Sequence, residues 1–584
     1  MNTLVIVLIA AVVLVCAYAG YGRWLAKTWG VDPNAKTPAV RLEDGKDYVP
    51  TNGWTVFAHQ FSSIAGAGPV TGAIQAAAFG WLPVLLWVLI GGVFFGAVTD
   101  FGALYASVKN DGKSMGLLIE KYIGKTGRKL FLLFCWLFCG IVIAAFADMV
   151  AGTFNAFDAE GAQVEAAFTN GAAGMVSIMF MVFAVVFGFI QKKFNFSGWR
   201  EAVIGIVFIV LSFAVGMNCP LVFGKAAWSY ITFVYIFFAA VLPMWMLKQP
   251  RDYMTTFMFG AMIAGAVIGL LVAHPTMNLP VFTGFNNAKL GTMFPILFVT
   301  VACGAVSGFH SLVSSGTSSK TVENEKDMLK VGYGAMVLES LLAVLALCVA
   351  GAAAAADGTP ATGTPFQIFS RGVAGFFEMF GVPVSIATVF MTMCVSALAL
   401  TSLDAVARIG RMSFQELFSV DDMEHAEGWR KLCCNVYFST FITLVFGFIL
   451  TQIGYANIWP LFGSANQLLS ALVLATLCVF LKVTGRNNKM LFPPLVIMLC
   501  VTFTALVQRL IAMIKAISTA ASTAIPAGET TWGAVFIANG LQLILAVLLI
   551  VLGLNIVFHS VKSYTTCDAP EAKDNAEATA KANA

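Results

Sequence analysis

Long apolar runs separated by short polar segments dominate the pattern of the chain. An α-helix needs about 20 apolar residues to cross the hydrocarbon core of a bilayer. Runs near this length recur from one end of the sequence to the other. They predict an all-α polytopic membrane protein with about fifteen transmembrane helices. The predicted spans are 3–22, 54–80, 82–107, 130–152, 174–190, 201–217, 228–247, 255–273, 292–316, 331–356, 382–404, 432–452, 457–481, 490–514 and 532–557.

The composition agrees with a membrane protein. Hydrophobic residues make up 59% of the chain, charged residues 11%, and the mean hydropathy is +0.85. Soluble domains are about 45–50% apolar and about 25% charged. The net charge of +4 is small and gives no reason to expect a nucleic-acid partner. The 12 cysteines are scattered without the CxxC spacing of metal or redox sites, so no cofactor is predicted. Residues 3–22 lack a preceding basic region and are interpreted as a retained helix.

Basic residues alternate between successive loops. Cytoplasmic loops of membrane proteins carry an excess of lysine and arginine. With the predicted spans, 29 of the 34 basic residues fall on one side, four on the other, and Arg509 inside a span. This alternation predicts an N-terminus outside the cell and a cytoplasmic C-terminus.

The same pattern divides the chain into four regions. The predicted regions are an N-terminal helix with a basic cytoplasmic loop (1–53), a transporter core (54–482), C-terminal transmembrane helices (483–561) and a disordered cytoplasmic tail (562–584).

Two predicted spans are interrupted by helix breakers. The first contains SSIAGAGP at 62–69, and the second contains CGAVSGFHS at 303–311. Backbone groups freed at membrane depth must face protein, water or a ligand. The charge pattern makes the two spans run in opposite directions, as in inverted repeats whose half-helix ends meet a solute near the midplane. The alternative is that these small residues only allow tight helix packing. The candidate substrate-binding residues are Ser63, Gly66, Gly68, Gly304, Ser307, Gly308 and His310.

Six stretches of the chain carry specific patterns of small, polar and aromatic residues. They are AGAGPVTGAIQAAAFGWLPVLLWVLIGGVFFGAVTDF (65–101), QPRDY (249–253), ACGAVSGFHSLVSSGT (302–317), GYGAMVLES (332–340), TSLDAVAR (401–408) and IWPLFGSANQLLSAL (458–472). In these stretches the chain resembles the carbon starvation protein A family of bacterial membrane transporters. This resemblance implies a bacterial inner-membrane location, a core like the LeuT-type fold, and uptake of peptides or pyruvate during nutrient limitation.

The spacing of the broken helices differs from a strict LeuT-type repeat, which places them five spans apart. Here they are seven apart, which leaves open two inserted helices or one span split in error.

Ionisable side chains at membrane depth are costly and commonly functional. Asp404, together with Thr401 and Ser402, could form an oxygen site for Na⁺ or a proton site; the alternative is an i,i+4 ion pair with Arg408. His310 suits proton coupling or carboxylate binding, or a simple hydrogen bond in a buried turn.

Other polar residues in apolar surroundings are weaker candidates. Asp100 and Glu339 are predicted to carry a coupling proton, and His59 is a further candidate close to the first break. Asp148 is expected near the outer interface. The remaining candidates are interpreted as structural: Arg251 and Asp252 in an inner loop or gate, and Asn466 and Gln467 in an apolar span.

These features favour a secondary transporter that imports a small carboxylate-bearing solute by alternating access coupled to H⁺ or Na⁺. The opposed half-helix ends and the family resemblance together suggest that the solute carboxylate lies at the breaks. A passive channel or facilitator for small organic anions is the alternative. No metalloprotease motif or phosphate-binding loop is present, so an enzyme is not expected. The predicted partners are the solute and the lipid bilayer, with the oligomeric state left open.

Overall fold

The computed structural model describes residues 2–45, 48–158, 160–194, 198–243, 246–288, 290–420, 427–522 and 532–567. Within these ranges the chain is mostly helical, with one two-stranded ribbon of β1 (Asn286–Asn287) and β2 (Gly291–Thr292). The α-helices are α1 (Thr3–Ala17), α2 (Arg23–Trp29), α3 (Pro38–Arg41), α4 (Gly53–Ile64), α5 (Gly68–Ala76), α6 (Trp81–Gly91), α7 (Ala97–Val108), α8 (Met115–Ile123), α9 (Lys125–Phe154), α10 (Ala167–Phe194), α11 (Trp199–Asn218), α12 (Lys225–Val241), α13 (Lys248–Ala273), α14 (Met293–Val301), α15 (Gly308–Gly316), α16 (Ala335–Ala353), α17 (Pro365–Glu378), α18 (Val384–Phe418), α19 (Gly428–Cys434), α20 (Val436–Thr451), α21 (Tyr455–Val483), α22 (Phe492–Ser522) and α23 (Trp532–Thr566).

Short segments of tighter or wider helix join several of these elements. Three are π-helical and extend neighbouring α-helices, and five are single 3₁₀ turns. The π segments are Tyr18–Gly22, Gly92–Gly96 and Leu329–Gly334, and the 3₁₀ turns are Ala77–Phe79, Ala302–Gly304, Ser318–Lys320, Glu325–Asp327 and Lys489–Leu491.

Twelve helices in the described ranges are long and apolar enough to cross a membrane, or up to 13 if the bent pair α19–α20 is one span. The chain is therefore a multi-pass membrane protein, and each of the twelve overlaps a predicted span. The count of fifteen is not confirmed. Predicted span 54–80 is divided between two short helices, α4 and α5. Span 228–247 holds the 17-residue helix α12, and span 432–452 lies in the bent pair.

Loops that are predicted to lie on the same side of the membrane contact one another. On the basic side, Glu325 forms an ion pair with Lys109 (2.7 Å) and accepts a hydrogen bond from the backbone N–H of Asp32 (3.0 Å). On the other side, the backbone N–H of Trp81 donates to the carbonyl of Pro280 (3.1 Å). We call the end that holds Lys109, Glu325 and Asp32 the basic end of the bundle.

The core is built around α21, which packs against α9, α15, α22 and α23. Every residue in its most apolar window is buried. Helix α9 is also heavily buried, and it packs against α18, α20 and α21. A helix enclosed on all sides is surrounded by protein rather than lipid. Helices α9 and α21 therefore form the centre of the bundle, and the broken helix α14–α15 packs against α21.

Two segments differ from their predicted environment. The phenylalanines of the outer segment 357–381 predict a short helix on the bilayer surface. The segment does contain a helix, α17, but its side chains Phe366 and Phe369 are fully buried against the bundle. At the C-terminus, α23 continues to Thr566, beyond the start of the predicted tail. The rest of that predicted tail, 568–584, lies outside the described residues.

Helix α14 is held between two glycines that admit its backbone at close range. A Cβ atom at Gly463 on α21 would lie 1.9 Å from the carbonyl oxygen of Val299. A Cβ atom at Gly72 on α5 would lie 2.4 Å from the carbonyl oxygen of Val301. Backbone atoms cannot move aside as a flexible side chain can, so only glycine fits at these two contacts.

We expect Gly463→Ala to push α14 away from α21 and to destabilise the protein by about 1–3 kcal/mol, the usual range for overpacking. Thermal unfolding of the purified protein in detergent measures this. Gly260→Ala is the matched control, because nothing lies within 4 Å of a Cβ atom there. Equal melting temperatures for the two variants would contradict the close contact.

Candidate functional site

The two helix breaks lie directly against each other. The first joins α4 to α5 through residues 65–67, and Pro69 sits in the first turn of α5. The second joins α14 to α15 through residues 302–307. A Cβ atom at Gly68 would lie 2.6 Å from the Cys303 Sγ, and one at Gly304 would lie 3.5 Å from the Pro69 Cα. The breaks therefore form one continuous region of non-helical backbone inside the protein, as backbone groups at membrane depth require.

The start of α15 is capped by a side chain from another helix. Asn466 on α21 accepts hydrogen bonds through its Oδ1 from the Phe309 backbone N–H and the Ser307 hydroxyl, both at 3.1 Å. Its Nδ2 lies 3.3 Å from the Cys303 Sγ. The first N–H groups of a helix have no partner within the helix. Asn466 thus fixes the second break to α21, a more specific role than the structural one predicted for it.

The space between the breaks is small. A cavity of about 10 Å³ is lined by residues of both breaks and by Ser402 on α18. A Cβ atom at Gly66 would lie 2.1 Å from the Ser402 Oγ, which is buried and has no hydrogen-bond partner. The predicted residues Gly66, Gly68 and Ser402 therefore meet here, in a closed arrangement with room for one water molecule at most.

Three predicted ionisable residues meet at a second, fully buried point. The His310 Nδ1 lies 3.0 Å from the Asp100 Oδ2, and the His310 Nε2 lies 3.3 Å from the Glu339 Oε2. The three side chains come from α15, α7 and α16, and each is 0% exposed. Each of the three residues was predicted as a candidate on its own, and the fold places the imidazole between the two carboxyl groups.

This cluster has an odd number of ionisable groups. With the imidazole protonated and both carboxylates ionised, its net charge is minus one, and one further proton makes it neutral. The Glu339 oxygens and the Asp100 Oδ1 have no hydrogen-bond partner. Unpaired buried charge is strongly unfavourable. The arrangement is therefore chemically suited to gaining and losing a single proton.

A third cluster surrounds Asp404. Its Oδ2 is contacted by the Arg251 Nη1 and accepts a hydrogen bond from the Tyr235 hydroxyl at 2.9 Å. The Arg251 Nη2 also lies 3.1 Å from the Asp252 Oδ1. These contacts correct two expectations. The ion-pair partner of Asp404 is Arg251 rather than Arg408, and Arg251 lies buried in the first turn of α13 rather than in a loop.

The contacts of Arg408 explain the first correction. Its Nη2 donates to the carbonyl oxygens of Ala239 and Leu242 at the end of α12, and among the described residues it forms no ion pair with Asp404. Carbonyls in the last turn of a helix have no partner within the helix and attract a cation. Arg251 enters the helix because Pro250 is tolerated in a first turn.

The remaining candidates have partners within their own helix, partners on another helix, or none. Thr401 donates to the Ala397 carbonyl within α18 (2.8 Å). Gln467 donates to the Phe298 carbonyl (2.7 Å). Asp148 pairs with Lys225 (2.8 Å). His59 is half-buried. The Ser63 hydroxyl is buried without a hydrogen-bond partner.

Sequence reasoning missed Tyr235 and underestimated Arg251. Tyr235 is one aromatic residue in an apolar run, so no local pattern distinguishes it from a lipid-facing tyrosine. A buried carboxylate such as Asp404 needs a basic partner, and this need is the signal that points to Arg251. Arg408, at i+4, is the nearest basic residue along the chain and was predicted as the partner for that reason.

Comparison with known proteins identifies relatives along most of the chain. The family model described as carbon starvation protein CstA matches residues 2–362 and 351–505. The peptide transporter CstA of Escherichia coli (strain K12) is 30% identical over 588 residues, covering 86% of this chain and 80% of the relative. The peptide transporter CstA of Bacillus subtilis (strain 168) is also 30% identical, over 84% of this chain and 87% of the relative. The pyruvate/proton symporter BtsT of Escherichia coli is 36% identical over 364 residues, 60% of this chain and 49% of that protein.

Among solved structures, a manganese transporter of Eremococcus coleocola aligns with 89% of this chain and 99% of its own, at a TM-score of 0.46 and 10% sequence identity.

We expect Arg251→Met to destabilise the protein by about 3–5 kcal/mol, because it leaves Asp404 as an uncompensated buried charge. The double variant R251M/D404L should recover much of this loss, since both charges are removed. Thermal unfolding in detergent distinguishes the variants, with exposed Arg371→Met as the control. A single variant as stable as wild type would show that Asp404 does not depend on Arg251.

Proposed function

Since this chain belongs to the carbon starvation protein CstA family, we propose that it is a secondary transporter that imports a small carboxylate-bearing solute, pyruvate or a peptide, by proton-coupled alternating access. The buried contact of His310 with Asp100 and Glu339 is the observation that supports proton coupling. The names of its relatives, a peptide transporter and a pyruvate/proton symporter, support the solute class. A link to nutrient starvation is proposed on the family's name.

The geometry favours H⁺ over Na⁺ as the coupling ion. A sodium site needs several oxygen ligands whose charge is free for the cation. The Asp404 Oδ2 is engaged by Arg251 and Tyr235, so the carboxylate beside Thr401 and Ser402 already has a cationic partner. In the Asp100–His310–Glu339 cluster, by contrast, every group can gain or lose a proton. Protonation there would change the attraction between α15, α7 and α16.

We place solute binding at the breaks, with alternating access built on inverted repeats. The first N–H groups of α5 carry no side-chain cap, which leaves a helix end suited to an anion. The contact between the breaks in this structure corresponds to an occluded arrangement, and Gly66, Gly304 and Gly308 would allow a carboxylate to approach the backbone once the breaks separate. Transport in this scheme involves no bond-making or bond-breaking step.

The LeuT-type core and the full count of crossings belong to the same proposal. Adding the α4–α5 pair, α12 and the bent α19–α20 pair to the twelve long helices gives fifteen crossings. With that count the basic end faces the cytoplasm of a bacterial inner membrane. The N-terminus then lies outside and the C-terminus inside.

We expect Glu339→Gln to abolish accumulation of labelled pyruvate and dipeptide driven by a proton gradient in proteoliposomes. The variant cannot release the proton that couples the cluster to movement of α15. Exchange of labelled for unlabelled solute, which needs no net proton movement, should continue. Exposed Glu378→Gln on α17 is the matched control and should leave both activities unchanged.

Three other outcomes would be decisive. Accumulation driven only by a sodium gradient would replace H⁺ with Na⁺ as the coupling ion. Equilibration of solute without any gradient would indicate a passive channel or facilitator for organic anions. Full proton-driven accumulation by Glu339→Gln would remove the cluster from the coupling mechanism.

A further inference from the structure

A cavity of about 180 Å³ lies between the breaks and the basic end. Its wall includes Ser63, in the last turn of α4 before the first break, and Ser315, in the last turn of α15 after the second break. The far wall is formed by α8, α9 and α18. The cavity is much larger than the space at the breaks themselves, and it reaches the first break at Ser63.

Two cationic side chains line this cavity without a carboxylate partner. None of the ion pairs in the described part of the chain includes Lys248 or Arg408. Arg408 donates only to backbone carbonyls. Lys248 is 8% exposed, and among the described residues its ammonium group has no hydrogen-bond partner. The nearby carboxylates Asp252 and Asp404 are both engaged by Arg251.

The position of Lys248 adds to the positive charge. It is the first residue of α13, where the helix dipole presents positive charge and an acidic residue is favoured. A nearly buried lysine at such a position, whose nearby carboxylates are both paired with Arg251, gains from a ligand that supplies a further negative charge.

The rest of the wall indicates the kind of anion. Glu416 is the one acidic residue among the lining residues, and its Oε2 lies 3.5 Å from the Arg128 Nη2, which offsets its charge. The Ser63 hydroxyl is buried without a partner and can donate to an oxygen. Most of the remaining surface is apolar, including Phe131, Leu312 and Met412. Such a wall suits a small organic carboxylate with an apolar part better than a fully hydrated inorganic anion.

We propose that this cavity is a second solute site, in which Lys248 binds the carboxylate of the solute and Ser63 passes it to the breaks. The assignment rests on the proposed function for the nature of the solute. It places an anion site between the breaks and the basic end, separate from the Asp100–His310–Glu339 cluster. Lys248 is thus a binding residue with no part in proton coupling.

Binding to the purified protein in detergent, without any gradient, tests the site independently of transport. Pyruvate and a dipeptide are titrated into wild type, Lys248→Gln, Lys248→Arg and Lys125→Gln, and the Kd is measured by calorimetry. We expect Lys248→Gln to weaken binding about tenfold or more, equivalent to about 1.4 kcal/mol. Lys248→Arg keeps the charge and should bind nearly as wild type. Lys125→Gln removes an exposed charge at the same end and should change nothing.

A second measurement on the wild-type protein covers the case in which Lys248→Gln fails to fold. Lysines are labelled with an amine-reactive reagent and located by peptide mass spectrometry, with pyruvate or its neutral amide present. Pyruvate should protect Lys248 but not Lys125, and the neutral amide should protect neither.

The outcomes separate the two proposals. Unchanged affinity in Lys248→Gln, or labelling of Lys248 that pyruvate does not reduce, overturns the cavity site even if proton-driven uptake by wild type proceeds. Wild type that binds neither carboxylate also overturns the site. Carboxylate binding that depends on Lys248, without proton-driven uptake, supports the cavity site and contradicts the coupled transporter.

Discussion

The structure depends on one constraint, that polar backbone at membrane depth must find partners within the protein. Two helices break in the centre of the bundle, and their free N–H and carbonyl groups cannot be left to lipid. The fold meets this demand by enclosing the breaks. Asn466 reaches across from α21 to cap α15, and Gly463 and Gly72 let neighbouring helices approach the backbone of α14. A break tolerated in this way leaves a region without α-helical backbone in the centre of the bundle.

Charge in the interior follows a similar rule with two different results. In the Asp404 cluster, the Arg251 guanidinium contacts both carboxylates and the Tyr235 hydroxyl donates to Asp404, which ties α12, α13 and α18 together. Buried atoms without a hydrogen-bond partner occur in this cluster and in the Asp100–His310–Glu339 cluster alike. The two clusters differ in their cation, because a guanidinium keeps its charge whereas an imidazole can lose its proton near neutral pH. A fixed cation suits a structural joint, and a titratable one suits a group that responds to protonation.

Much of this organisation could be predicted from the sequence. Apolar length located all twelve long helices among the fifteen predicted spans, because the signal is local and the bilayer imposes a fixed length on it. Gly-Pro and Gly-Ser clusters located both breaks for a similar reason, since they remove helical hydrogen bonds wherever they occur. The family resemblance was confirmed across most of the chain. The sequence also named Asp100, His310 and Glu339, because a charge in an apolar run stands out.

Pairing between distant helices could not be predicted in this way. Tyr235, Arg251 and Asp404 lie on three helices, and the choice of Arg251 over Arg408 follows from the carbonyls at the end of α12 that hold Arg408. No spacing along the chain contains that information. Cys303 is another case, because its significance comes only from its place between Gly68 and Asn466. A thiol enclosed by both breaks is shielded from water-borne reagents while they touch, and the proposed separation of the breaks would expose it. Under alternating access, Cys303 would therefore act as a native chemical reporter of the conformational cycle.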